Sequence, residues 1–149
     1  MRYILKGLCL VFVIVLFLGC GKKSPPFLPK SRLPFRVTFL EAEKKGNMLI
    51  LRGEVVGKEG KKGFKLSDIR GCRVYYTRYG FKNLPCESCP IYYGEFKDIE
   101  GKVVKDKDFY CEIGWMNKKG IYFIRVRLLG PGISIGPPSN RVKIEIKEQ

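Results

Sequence analysis

The sequence predicts an all-β sandwich of about seven strands, and three observations carry that prediction. From Phe35 onward, short runs rich in β-branched and aromatic residues alternate with Gly, Asn, Asp and Lys. Two runs alternate strictly. In Cys72–Arg78 the residues Cys72, Val74 and Tyr76 share one face; in Ile121–Leu129 the residues Tyr122, Ile124, Val126 and Leu128 share one face, with Arg125 and Arg127 opposite. No long segment of the domain keeps a helical period, so the strands have only one another to bury against, which is the condition for two packed sheets.

Taken in order, the first strand is expected over Phe35–Ala42, led by Pro34, a residue that suits the start of a strand. The second, Met48–Val56, centres on Leu49-Ile50-Leu51. The run Gly57-Lys58-Glu59-Gly60-Lys61-Lys62-Gly63 has nothing to bury and reads as a mobile connection. The third strand is Cys72–Arg78, the fourth Tyr92–Ile99, the fifth Phe109–Ile113 and the sixth Ile121–Leu129. The last, Val142–Ile146, follows Gly136-Pro137-Pro138-Ser139-Asn140, a sharp turn through Gly and Pro.

Charge and composition limit the chemistry. The 149 residues carry 29 Lys and Arg against 14 Asp and Glu, a formal charge of +15, and no histidine. Lacking histidine, the chain has neither the commonest general base nor the imidazole metal ligand, and no Ser-His or Cys-His pair. Such a polycation attracts anionic partners, more weakly as salt rises. A charge excess equally serves a solvated surface.

The first residues are a leader. Arg2 and Lys6 precede an apolar run from Leu8 to Leu18, the layout of a secretory signal peptide. That run is shorter than the roughly 20 apolar residues a transmembrane helix needs, and Gly21-Lys22-Lys23-Ser24-Pro25-Pro26 stops it. The ending Leu16-Phe17-Leu18-Gly19-Cys20 resembles a bacterial lipobox, with Phe17 where the usual residue is Leu. The resemblance implies a lipoprotein signal peptide over 1–19, cleavage before Cys20, and diacylglycerol plus a further palmitate-like chain on Cys20. More than one acyl chain makes anchoring stable. An uncleaved N-terminal anchor is the alternative. Cleavage removes Arg2 and Lys6 and leaves 27 basic residues against 14 acidic ones, a net +13. Gly21 stands where an Asp retains lipoproteins at the inner membrane, which implies an outer-membrane protein of the cell envelope, facing the periplasm. Residues 20–34 hold Pro25, Pro26, Pro29 and Pro34 and read as an extended tether, leaving 35–149 as the domain.

From Pro34, the chain runs through Leu49-Ile50-Leu51, Asp68-Ile69-Arg70-Gly71-Cys72-Arg73-Val74-Tyr75, Gly120-Ile121-Tyr122-Phe123-Ile124-Arg125-Val126-Arg127 and Gly136-Pro137-Pro138-Ser139-Asn140-Arg141-Val142. That succession resembles a fibronectin type III domain, an immunoglobulin-like sandwich, over nearly the whole mature chain. The resemblance implies that Tyr122 is the core tyrosine whose hydroxyl bonds a backbone group at the corner. Arg52-Gly53 departs from the family, which often has Trp after the second strand. Trp115 lies where the family usually has Leu and is expected to plug the core. With its Cys-Gly-Lys-Lys start, proline tether and inserted Cys-x-x-Cys-Pro, the whole chain resembles bacterial envelope lipoproteins with a fibronectin type III-like domain.

Four cysteines fall in the domain: Cys72, Cys86, Cys89 and Cys111. As disulfides, allowed in an exported protein, Cys86 pairs with Cys89 as a loop staple and Cys72 with Cys111 across strands, or the pairing is crossed. As a tetrathiolate zinc site they have the right number but only one Cys-x-x-Cys knuckle. As a redox Cys-x-x-Cys, Cys86 and Cys89 need a helix start to activate a thiol, whereas Ile91-Tyr92-Tyr93-Gly94-Glu95-Phe96 reads as strand. Asp106, Asp108 and Glu112 are the acids nearest to one another, and they lie among lysines on segments of solvent-facing type.

The expectation is therefore a non-catalytic binding or structural module, not an enzyme, held to the membrane by its lipid. Its partner is an envelope protein or an anionic lipid surface. No cofactor beyond the covalent lipid on Cys20, no small-molecule substrate and no nucleic-acid motif is legible.

Overall fold

The computed structural model describes residues 33–57, 63–86 and 89–147. The leader, Cys20, the tether to residue 32 and positions 58–62 of the connection expected to be mobile lie outside the described residues.

Among the described residues there are eight strands: β1 (Arg36–Lys45), β2 (Met48–Val56), β3 (Gly71–Tyr79), β4 (Glu95–Glu100), β5 (Val104–Lys105), β6 (Asp108–Ile113), β7 (Gly120–Leu129) and β8 (Val142–Ile146). They form two four-stranded sheets, ordered β1-β2-β6-β5 and β4-β3-β7-β8, with every neighbouring pair antiparallel. All seven expected strands are found, the fourth starting at Glu95 rather than Tyr92. The eighth, β5, pairs Val104 with Phe109 and returns through Asp106 and Lys107 at φ of 51° and 79°. Two successive positive φ values make the tight hairpin whose twist matches its strands. With no glycine in Lys-Asp-Lys-Asp, that turn reads in sequence as a charge run.

The inner faces close one core. From the first sheet come Val37, Leu49, Leu51, Phe109, Cys111 and Ile113, and from the second Cys72, Val74, Tyr122, Ile124, Val126 and Leu128, all buried. Burying each large aliphatic or aromatic side chain contributes about 1.5–3 kcal/mol. Leu33, from the expected tether, and Phe35, both ahead of β1, are buried in the same cluster. Among the described residues the core runs from Leu33 to Ile146.

Tyr122 donates its hydroxyl to the carbonyl of Lys118 at 3.0 Å, the corner bond the resemblance implies. Trp115 differs from expectation. It packs against the core half-buried, beneath the Lys97 ammonium at 4.3 Å, while its neighbour Met116 is the enclosed residue. The departure at Gly53 has a steric reason: a Cβ there would meet the Thr38 carbonyl oxygen and Val37 Cγ1, each at 2.8 Å.

The turn before β8 locks the sheets together. A bulge in β1 shifts the register between Thr38 and Glu41. There the Asn140 side chain accepts from the Leu40 N–H (2.7 Å) and donates to the Leu40 carbonyl (3.0 Å). Ser139 Oγ in turn accepts from the Val126 N–H at 2.9 Å. Adjacent residues thus hold β7 with one side chain and β1, of the other sheet, with the next.

Candidate interaction face and cysteine pairs

Because Cys72, Val74, Val126 and Leu128 point inward, their neighbours along β3 and β7 form the outer face of the second sheet. Register aligns Asp98, Arg73 and Arg127 across β4, β3 and β7, and beside them Phe96, Tyr75 and Arg125. Arg73 and Arg127, like charges directly opposite, repel. Arg73 is relieved by a two-pronged contact with Asp98, Nε to Oδ1 at 2.6 Å and Nη2 to Oδ2 at 2.8 Å. The hydrogen bond from Arg73 holds the Asp98 carboxyl below its usual range, and the same contact holds the Arg73 guanidinium more firmly protonated. Arg73 also lies over the Phe96 ring at 4.3 Å, and Phe96 meets Tyr75 at 5.8 Å. Arg127 donates through Nε to the Gly136 carbonyl at 2.7 Å.

The β3–β4 connection covers the other half of this face. Tyr79 meets Phe123 edge-on at 5.8 Å, the Arg125 guanidinium lies 5.6 Å from the Tyr93 ring centre, and Arg141 stands 5.4 Å from that of Phe123. Arg141 also reaches the Cys89 carbonyl at 3.4 Å. Ile121 and Phe123 are consequently buried although they point away from the core. The half left open is a groove of about 900 Å³ lined by Arg70, Arg73, Tyr75, Asp98, Arg127 and Ile133, among others. Ile133, 70% exposed, stands on its wall, and Phe96, 56% exposed, stands beside Tyr75. No ion pair of Arg70 or Arg127 occurs among the described residues.

The cysteines separate into two unlike pairs. Cys86 and Cys89 are disulfide-bonded within the β3–β4 connection, with Cα atoms 5.1 Å apart and the Cys89 N–H on the Cys86 carbonyl. Irregular backbone and then β4 follow Cys89, and no helix starts among the described residues there to activate a thiol. Cys72 on β3 and Cys111 on β6 are buried free thiols in opposing sheets, their Sγ atoms 3.8 Å apart. A zinc site of Cys72, Cys86, Cys89 and Cys111 would need the four together; here Cys86 and Cys89 bond each other in the β3–β4 connection, while Cys72 and Cys111 lie in the core. Among the described residues no three His, Cys, Asp or Glu side chains gather to hold a metal. Asp106 sits in the β5–β6 turn, Asp108 is exposed, and Glu112 accepts from the Tyr110 hydroxyl on the outer surface.

Sequence reading identified Arg125 and Arg127 as outward but missed the groove. Its row of Asp98, Arg73 and Arg127 comes from strands far apart in sequence. Their alternation with core residues was the only local signal.

No protein-family model matches the chain, and no curated protein matches it. Among solved structures it is similar to the third fibronectin III domain of the human KIAA0343 protein, with 11% identity and a TM-score of 0.50. That likeness covers 88% of this chain and 94% of that one. It is also similar to the chicken CNTN1 FN1–FN3 domains, with 12% identity and a TM-score of 0.45 over 80% of this chain and 32% of that one. A myokine structure aligns with 81% of this chain and 100% of its own at 12% identity and a TM-score of 0.39. Likeness at such identity is likeness of fold, and the sandwich is fibronectin type III-like.

Proposed function

We propose that this fibronectin type III-like sandwich is a non-catalytic binding module of the bacterial cell envelope, tethered by lipid on Cys20 and engaging an envelope protein through its open groove. The observation that carries the reading is the composition of that groove: Arg70, Arg73, Tyr75 and Arg127 converge, with Ile133 on the wall. Arginine and tyrosine, with apolar anchors, are the residues that dominate protein interfaces, whereas an active site needs a positioned acid, base or nucleophile. Free guanidinium donors at Arg70 and Arg127 favour a partner that presents carboxylates. The leader, the lipobox-like Leu16–Cys20 and the proline tether support export and lipid anchoring, and Gly21 supports placement at the outer membrane facing the periplasm.

Two measurements test this. The intact mass of the membrane-extracted protein is expected to begin at Cys20 and to include acyl chains; a Met1 start refutes the anchor. A photo-crosslinking residue at Ile133 in living cells is expected to give a discrete protein adduct. The same residue at Phe39, on the other sheet, is expected to give none. Equal labelling from both positions, or labelling of lipid alone from Ile133, rejects the groove as a protein-binding face.

A further inference from the structure

We infer that Cys72 and Cys111 form a disulfide that ties the two sheets together, and that it closes while the sandwich is folding, not after. The inference rests on the reading that the chain is exported to an oxidising compartment.

The geometry comes first. Cys72 pairs across β3 with Ile99 and Leu128, and Cys111 lies opposite Leu51, so each thiol is set in the middle of its own sheet. Their Sγ atoms stand 3.8 Å apart with the core packed around them. A bond of about 2.05 Å asks for side-chain rotation and a small approach of the two strands. An inter-sheet disulfide is compatible with this class of sandwich, as antibody domains carry one between other strands.

The chemistry needs an oxidant that itself carries a disulfide. A thiolate of one cysteine attacks it, forming a mixed disulfide and releasing one of its sulfurs as a thiol. The second cysteine's thiolate then displaces the other. The two protein thiols lose two protons and two electrons, and the oxidant's disulfide becomes two thiols. Both attacks need a protein sulfur that the oxidant can reach and that ionises. In the folded molecule neither sulfur is within reach, Cys72 being 0% and Cys111 2% exposed, and the hydrogen bond to Cys111, with burial, pushes the Cys72 thiol up. The reaction therefore belongs to a state in which the sheets have not yet closed. Burial protects the finished bond from reduction in the same way. Cys86, by contrast, is exposed in its connection, within reach of an oxidant or reductant in the folded protein.

The test maps linked peptides after alkylation under denaturing, non-reducing conditions. It compares the membrane-extracted protein with a chain denatured, reduced and refolded in reduced and oxidised glutathione. A Cys86→Ser/Cys89→Ser variant runs alongside, so that Cys72 and Cys111 are the only cysteines left to it after residue 20. Both refolded chains are expected to contain Cys72 linked to Cys111. A chain folded first with reductant and then given oxidised glutathione is expected to close Cys86–Cys89 at least tenfold faster than Cys72–Cys111. Full alkylation of Cys72 and Cys111 after oxidative refolding overturns the bond. Equal closure rates in the folded chain overturn its timing. Should the refolded chain form the bond while the extracted protein holds free thiols, the reading of export fails and the pairing stands.

Discussion

Asn140→Ala removes the side chain that serves both backbone groups of Leu40 at the β1 bulge. Asn140 accepts from the Leu40 N–H at 2.7 Å and donates to its carbonyl at 3.0 Å, beside a Leu40 side chain only 3% exposed. The ladder offers these groups no alternative, because the bulge has already shifted the β1–β2 register there. Stranding a buried donor or acceptor costs about 1–3 kcal/mol, so losing both partners at this part-buried site costs about 2–4 kcal/mol. Against a total stability of about 5–15 kcal/mol that is a large fraction. At about 4 °C per kcal/mol for a domain of this size, Tm is expected to fall by about 8–16 °C. Urea unfolding by tryptophan fluorescence reads it at Trp115, with the denaturant slope checked to be unchanged. Asn140→Asp should cost at least as much at neutral pH, since a carboxylate oxygen then faces the Leu40 carbonyl. A loss under about 0.5 kcal/mol in Asn140→Ala refutes the clamp, because it lies within the range of an ordinary surface substitution.

Two further substitutions probe the surface. Asp98→Asn breaks the paired contact with Arg73, whose side chains are 39% and 28% exposed, so at pH 7 it costs at most about 1 kcal/mol. The Asp98 pKa is lower folded than unfolded, so its contribution is complete above the ordinary carboxylate value of about 3.9 and disappears as pH falls through the folded one. Urea midpoints of Asp98→Asn and the unaltered protein should therefore differ at pH 7 and converge as pH falls through the folded value; a constant gap contradicts the assignment. Phe39 holds φ at 50° with its ring 75% exposed, a conformation that costs an ordinary residue about 1–2 kcal/mol and that Asn tolerates. Phe39→Asn is expected to raise Tm by a few degrees, and a fall shows that the ring has packing that its exposure conceals.

The sequence by itself determined the fold class and most strand positions, because alternation along Cys72–Arg78 and Ile121–Leu129 is a local property of a chain with one wet and one dry face. It also marked Tyr122 and the Gly136–Asn140 turn, whose residue types have few other uses. Fourth-strand limits and the two-residue β5 escaped it. Tyr92 to Gly94 carry strand-like residues yet belong to a connection whose Tyr93 ring packs against Arg125 of β7, and a hairpin at Asp106-Lys107 uses φ values that no glycine announces. Only the tertiary structure decided which side chains meet: that Arg73 stands between Asp98 and Arg127, that Cys72 faces Cys111 across the core, and that Cys86 and Cys89 keep to each other. The physical reason is that periodicity along one strand fixes which way a side chain points. Which strands become neighbours, and in what register, follows from closing all the faces at once.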